Sequence, residues 1–268
     1  MLKRIITGAI AAVCLILVLV FGKTLGAAIL FAVACGISAY EMLSCCGLLK
    51  NWYVSVPAIL FTAFCALLPA IVNHTVNLIG FLLAAIPLVL VCFLFIAVLA
   101  HKSVDIGKIT MFFSLALYIT AGFASLTFLR NYYGLSSVVL VFVVACVTDI
   151  FAYFTGMLFG KKKLCPEISP KKTVAGAIGG TLFGTISGMA VYWIVVGNPL
   201  YGLVALPLSV VGQLGDLSAS LVKRKFGVKD YGKIFPGHGG VLDRFDSIIP
   251  VAIVTAIYFV AMSIIPML

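Results

Sequence analysis

The chain has 268 residues, 63% of them hydrophobic and only 10% charged, with a mean hydropathy of +1.25. A water-soluble domain carries about 25% charged residues to solvate its surface, so this composition excludes a soluble protein. The net charge of +10 does not point to nucleic acid, because the sequence holds no soluble basic domain or recognition motif, and cations beside membrane spans mark the cytoplasmic side.

Crossing a bilayer core takes about 20 apolar residues in a helix. By that measure the apolar runs predict an all-α, polytopic integral membrane protein with about nine transmembrane helices, at 5–22, 25–49, 54–72, 78–100, 111–129, 135–160, 174–197, 201–222 and 245–267. Lys3-Arg4 followed by the run Ile5–Phe21 has the form of a signal peptide. The sequence after Gly26 is again apolar, however, which favours an uncleaved first span. Glu41 is an isolated acid deep in the second span. The third span is the weakest, because Pro57 and Pro69 interrupt it.

The connections carry the basic residues. Under nine spans, Lys3, Arg4, Lys50, Lys102, Lys108, the five lysines of 161–172 and the six cations of 223–244 share one side, sixteen in all. Only Lys23 and Arg130 fall on the other side. This bias places the N-terminus in the cytoplasm and the C-terminus outside. The loops at 161–173 and 223–244 are two spans apart, so they share a side whatever the count upstream.

Six of the eight acids lie after residue 140: Asp149, Glu167, Asp216, Asp230, Asp243 and Asp246. Residues 1–134 therefore read as a transmembrane scaffold and 135–268 as the catalytic region. The eight cysteines form no Cys-x-x-Cys pair and no Cys/His cluster, so neither a zinc site nor a disulfide framework is expected.

Two stretches carry chemistry. In the first, Asp149, Tyr153, Gly156 and Gly160 follow one helix face and lead into Lys161-Lys162-Lys163 and then Ser169-Pro170-Lys171-Lys172-Thr173. Asp149 taken alone also fits a polar packing residue between helices. In the second, Asp216, Ser220, Lys223 and Arg224 are spaced to share a helix face. Asp243 and Asp246 approach the membrane from the same side, and the run Pro236-Gly237-His238-Gly239-Gly240 offers close approach to a ligand. Carboxylates beside many cations suit a metal–nucleotide polyphosphate site. Mg²⁺ takes one or two carboxylates with phosphate and water oxygens, and Lys and Arg neutralise phosphate. Ionisable groups within a membrane are functional by default. Gly176, Gly180, Gly184 and Gly188 form a ladder of small residues, read as close helix packing or a dimer seam. No P-loop is present, since Gly156–Lys162 has the wrong spacing.

The second stretch resembles the phosphatidate cytidylyltransferase family signature. The match runs Ser220-x-Val222-Lys223-Arg224-x4-Lys229-Asp230-x-Gly232-x2-Phe235-Pro236-x-His238-Gly239-Gly240-x2-Asp243-Arg244-x-Asp246, and the Ser-Pro-Lys-Lys-Thr loop resembles the same family. The resemblance implies CMP transfer from CTP to phosphatidic acid, with Mg²⁺ as cofactor, a second monovalent cation left open, and a homodimer allowed. It implies Asp216, Asp243 and Asp246 as metal ligands, and these with Lys223 as catalytic residues. Ser169, Lys171, Lys172, Ser220, Arg224, Lys229, His238 and Arg244 would hold the nucleotide or its phosphates. One departure is Ala175, where the family usually has Glu before Gly. Within the same superfamily a CTP-dependent lipid kinase or a related CDP-lipid synthase remains an alternative. In a different class, so does a secondary transporter of an anionic solute, with Asp149 and Asp216 as coupling-ion sites.

Overall fold

The computed structural model describes residues 13–72, 98, 105–235, 237 and 239–264. The protein is nearly all helical, and six of the helices described are long and apolar enough to cross a membrane. They are α1 (Lys23–Cys46), α2 (Trp52–Ile71), α3 (Ile106–Phe128, continued by a π-helical turn, Leu129–Tyr133), α4 (Leu135–Phe159), α5 (Val174–Val196) and α6 (Ala205–Lys225, entered through a 3₁₀ turn, Pro199–Val204). A four-residue turn, α7 (Leu242–Phe245), precedes a shorter apolar helix, α8 (Ile248–Ile264). Six expected spans thus correspond to α1–α6, and the span expected at 245–267 is the shorter α8. The expected span at 5–22 lies partly, and that at 78–100 almost wholly, outside the described residues.

The chain groups into two compact units. The first comprises the described residues of Met1–Asn131 together with Tyr231–Leu242. In it α1, α2 and α3 pack against one another around Phe31, Met42, Leu43, Ile119, Phe123 and Leu126, all fully buried. Gly36 faces α2, where a Cβ would make ordinary contact with Ala63 Cβ at 3.4 Å. α1 stops at Gly47, whose φ of 72° sends its N–H, and that of Leu48, back to the last carbonyls of the helix. α2 forms despite its two prolines. The Pro69 carbonyl accepts a hydrogen bond from the Asn131 side chain at 2.9 Å.

The second unit comprises Tyr132–Asp230 and Asp243–Leu268, described as far as residue 264. Its spine is the contact of α4 with α5, where the glycine ladder is spent. A Cβ on Gly180 would press on the Thr148 carbonyl and Ala152, one on Gly184 on Thr148 and Ser209, and one on Gly188 on Ala205. The ladder is therefore close packing inside the chain, against α4 on one side and α6 on the other. The outer face of α5 carries Ile178, Leu182, Ile186, Trp193 and Ile194, all exposed, and α4 likewise exposes Phe154, Met157 and Leu158. Apolar surface on this scale belongs against lipid, and the protein is an integral membrane protein.

The connection expected as a loop at 161–173 departs from the all-α reading. It is an antiparallel hairpin of β1 (Lys163–Cys165) and β2 (Ser169–Thr173), with Lys163 opposite Thr173 and Cys165 opposite Ser169. Its end is set by α5, because Thr173 is the helix N-cap and its hydroxyl accepts from Gly176 N at 3.1 Å. Lys171 and Lys172 are thereby held within three residues of a helix start.

Candidate active site

A cavity of about 620 Å³ opens in the second unit. Its lining joins the two chemistry-bearing stretches: Asp149, Tyr153, Gly156 and Gly160 from α4 and its end, Lys163, Lys171 and Lys172 from the hairpin, Asp216 and Lys223 from α6, and Asp243, Arg244 and Asp246 from the segment before α8.

Asp149, Asp216, Asp243 and Asp246, four of the acids lining this cavity, each have a definite partner. Lys172 Nζ stands 2.7 Å from Asp216 Oδ2. Lys223 Nζ stands 2.9 Å from Asp243 Oδ1 and 3.8 Å from Asp246 Oδ2, so one ammonium serves two carboxylates. The Asp149 carboxylate accepts the Ser247 hydroxyl at 2.7 Å, and Asp246 Oδ1 accepts the Ser247 N–H at 2.9 Å. Ser247 thus ties α4 to the Asp246 turn. Gln213 braces the α6 side by donating to Thr181 Oγ1 at 3.0 Å, while its own carbonyl takes a bond from Lys172 at 3.4 Å.

Asp246 precedes the apolar helix α8. Burial first, and then the Asp216 charge, push its carboxyl up to about 7, against the pull of Lys223.

Of the residues singled out by sequence, Lys171, Lys172, Asp216, Lys223, Asp243, Arg244 and Asp246 line the cavity, and Ser169, Ser220, Arg224 and Lys229 do not. Arg224 lies about 80° around α6 from Asp216, at 100° per residue. His238 falls outside the described residues. The face of Asp149, Tyr153, Gly156 and Gly160 is realised as its spacing indicates. The expected site residues did not include Lys163 or Asp230, which also line the cavity. The signals for them were the Lys161-Lys162-Lys163 run of the first stretch and the Lys229-Asp230 position of the signature in the second.

Among the described residues no group of three or more His, Cys, Asp or Glu is arranged to hold a metal ion. Asp216 and Asp243 instead meet lysine ammonium groups. The available donors are hard carboxylate oxygens lining the cavity. They fit an ion that takes one or two carboxylates and completes its shell with phosphate and water oxygens, which is the habit of Mg²⁺.

Comparison with known proteins agrees with this chemistry. The sequence model of the cytidylyltransferase family matches residues 2–262. A relative from Bacillus subtilis (strain 168), named phosphatidate cytidylyltransferase, is 35% identical over 259 residues, covering 92% of this chain and 93% of its own. Relatives of the same name are 46% identical over 138 residues in Brucella abortus (49% and 51% of the two chains) and 50% identical over 117 residues in Staphylococcus haemolyticus (42% and 45%). The match to the Brucella relative therefore spans about half of its length. With a family match running almost end to end, the chain belongs to the cytidylyltransferase family.

Proposed function

We propose that this protein is a phosphatidate cytidylyltransferase, which transfers CMP from CTP to phosphatidic acid and yields CDP-diacylglycerol and pyrophosphate in phospholipid biosynthesis. The observation that carries the reading is the meeting, in one cavity of a membrane protein, of Lys171, Lys172, Lys223 and Arg244 with Asp216, Asp243 and Asp246. Two anionic substrates must be brought together there, one of them a lipid.

In this reading the lysines and Arg244 bind and orient the phosphates of both substrates. A phosphate oxygen of phosphatidic acid forms a bond to the α-phosphorus of CTP, and the bond to the bridging oxygen of pyrophosphate breaks. The leaving pyrophosphate carries its charge towards Lys172 and Lys223, which then exchange their carboxylate partners for phosphate. A lipid phosphate is largely ionised near neutral pH, so no strong general base is required. One or two of the carboxylates of Asp216, Asp243 and Asp246 would hold Mg²⁺, which when bound neutralises phosphate charge. A second, monovalent cation would find the same oxygen donors. Ser169, Ser220, Arg224, Lys229 and His238 are the further nucleotide or phosphate contacts that the family resemblance implies.

The reading also places the protein in a bacterial inner membrane, with about nine spans and the site facing the cytoplasm, as the bias of basic connections supports. Residues 135–268 supply the catalytic region and 1–134 the scaffold. A homodimer would have to use surfaces other than the glycine ladder, which is filled within the chain. The test is radiolabelled CTP with phosphatidic acid and Mg²⁺ in detergent, following label into the lipid fraction. Label in CDP-diacylglycerol with matching pyrophosphate release supports the assignment. Its absence, or label transfer only to a different lipid acceptor, overturns it.

A further inference from the structure

Glu41 sits in α1, is 2% exposed, and has no part in the reaction as described. Its carboxylate accepts hydrogen bonds from the backbone N–H groups of Val241 and Leu242, both at 2.9 Å. Gly232 and Gly240 come so close to the same carboxylate that a Cβ on either would overlap it. Neither glycine has a positive φ, so the space they leave, and not an unusual backbone, is what they contribute. A buried carboxylate is unfavourable unless fully hydrogen-bonded, and an apolar residue would suit this span better on stability alone. Two independent features, the paired N–H groups and the two glycines, thus shape the segment Tyr231–Leu242 to a single side chain.

We propose that Glu41 is a positioning residue for nucleotidyl transfer, acting by pinning the end of Tyr231–Leu242; this rests on the activity proposed above. Leu242 is joined to Asp243 by one planar peptide bond, and Arg244 follows. With the N–H groups of Val241 and Leu242 fixed, few soft dihedrals remain between the clamp and the Asp243 side chain. The clamp therefore fixes the backbone immediately before Asp243 and Arg244. A residue in the half assigned as scaffold becomes part of the catalytic design without touching substrate.

The test uses the full-length protein in detergent. Glu41→Gln keeps the side-chain volume but turns an NH₂ towards one of the two N–H groups. The kcat for labelling phosphatidic acid should fall roughly 10- to 100-fold, as for an ångström-scale misplacement. The KM for phosphatidic acid should stay within about twofold. Tryptic cleavage at Lys233 should quicken relative to the parent protein, with or without substrates. Combined with Asp243→Asn, Glu41→Gln should add no further loss, because a residue acting through Asp243 has nothing left to position. Gly240→Ala displaces the carboxylate from the other side and should give the same pattern, which covers poor folding of the Glu41 variant. Unchanged kcat in both variants, or losses that multiply in the Asp243 double variant, would overturn the proposal. Unchanged tryptic cleavage refutes the clamp by itself, whereas a parent protein that fails to label lipid refutes the activity and leaves the cleavage test standing.

Discussion

Lys172 and Asp216 meet at 2.7 Å, joining the hairpin that follows α4 to the middle of α6. Each comes from a separate stretch rich in charge, and neither stretch makes a phosphate site alone. Both partners are about a quarter exposed towards the cavity, so the pair is accessible to a ligand. An ammonium held there can exchange a carboxylate for a phosphate at little cost, because one anion replaces another.

Lys172→Ala should therefore reduce CTP-dependent lipid labelling by about 100-fold, the scale for losing one preorganised charge at a reacting group. Lys172→Arg, which keeps the charge, should recover part of it. Thermal melting in detergent should move little in either variant, since a partly exposed pair contributes little to stability.

The Lys223–Asp243 pair differs, because the side chains are 11% and 2% exposed. Removing one member strands a buried charge, which typically costs about 3–5 kcal/mol. Lys223→Ala should thus lower the melting temperature markedly as well as abolish activity. The double variant Lys223→Met with Asp243→Asn should melt higher than Lys223→Ala while remaining inactive. A melting temperature unaffected by Lys223→Ala would contradict the buried pair.

Asp246 carries a pH signature. Its folded-state carboxyl titrates at about 7, above the ordinary value of 3.8. Between those values the folded state binds more protons than the unfolded chain, so this residue's contribution to stability falls as pH rises from about 4 to 7 and is constant above. Asp246→Asn should remove that dependence. In cation-free protein the melting-temperature gain of Asp246→Asn over the parent should be larger at pH 8 than at pH 5.

The glycine ladder gives a packing test. Gly184→Leu places a side chain into Thr148 and Ser209, whereas Leu182→Ala trims an outward-facing residue of the same helix. Overpacking typically costs about 1–3 kcal/mol and can exceed that for a large side chain. Gly184→Leu should yield aggregated or low-melting protein, and Leu182→Ala should melt like the parent.

Much of this was legible in the sequence. Apolar runs of sufficient length announced α1 to α6 because a span must be apolar for about 20 residues. Asp149, Asp216 and the late acids were conspicuous because charge is expensive near lipid. The hairpin was not legible, since Ser-Pro-Lys-Lys-Thr has no alternation of apolar residues, and its pairing is imposed by the ends of α4 and α5. Ser220 and Arg224 were grouped with Asp216 by spacing alone, while the lining of the cavity depends on how α6 is turned against α5 and α8.

By itself, then, the sequence determined a helical membrane protein of this family, with its charges concentrated late in the chain. Composition and run length decide those features locally, through the cost of exposing polar backbone and charge to lipid. Only the tertiary structure decided which lysine faces which aspartate, that Ser247 meets Asp149, and that Glu41 receives the N–H groups of residues two hundred positions away. Those pairings depend on helix packing, and packing is set by the summed fit of many side chains that no single motif encodes.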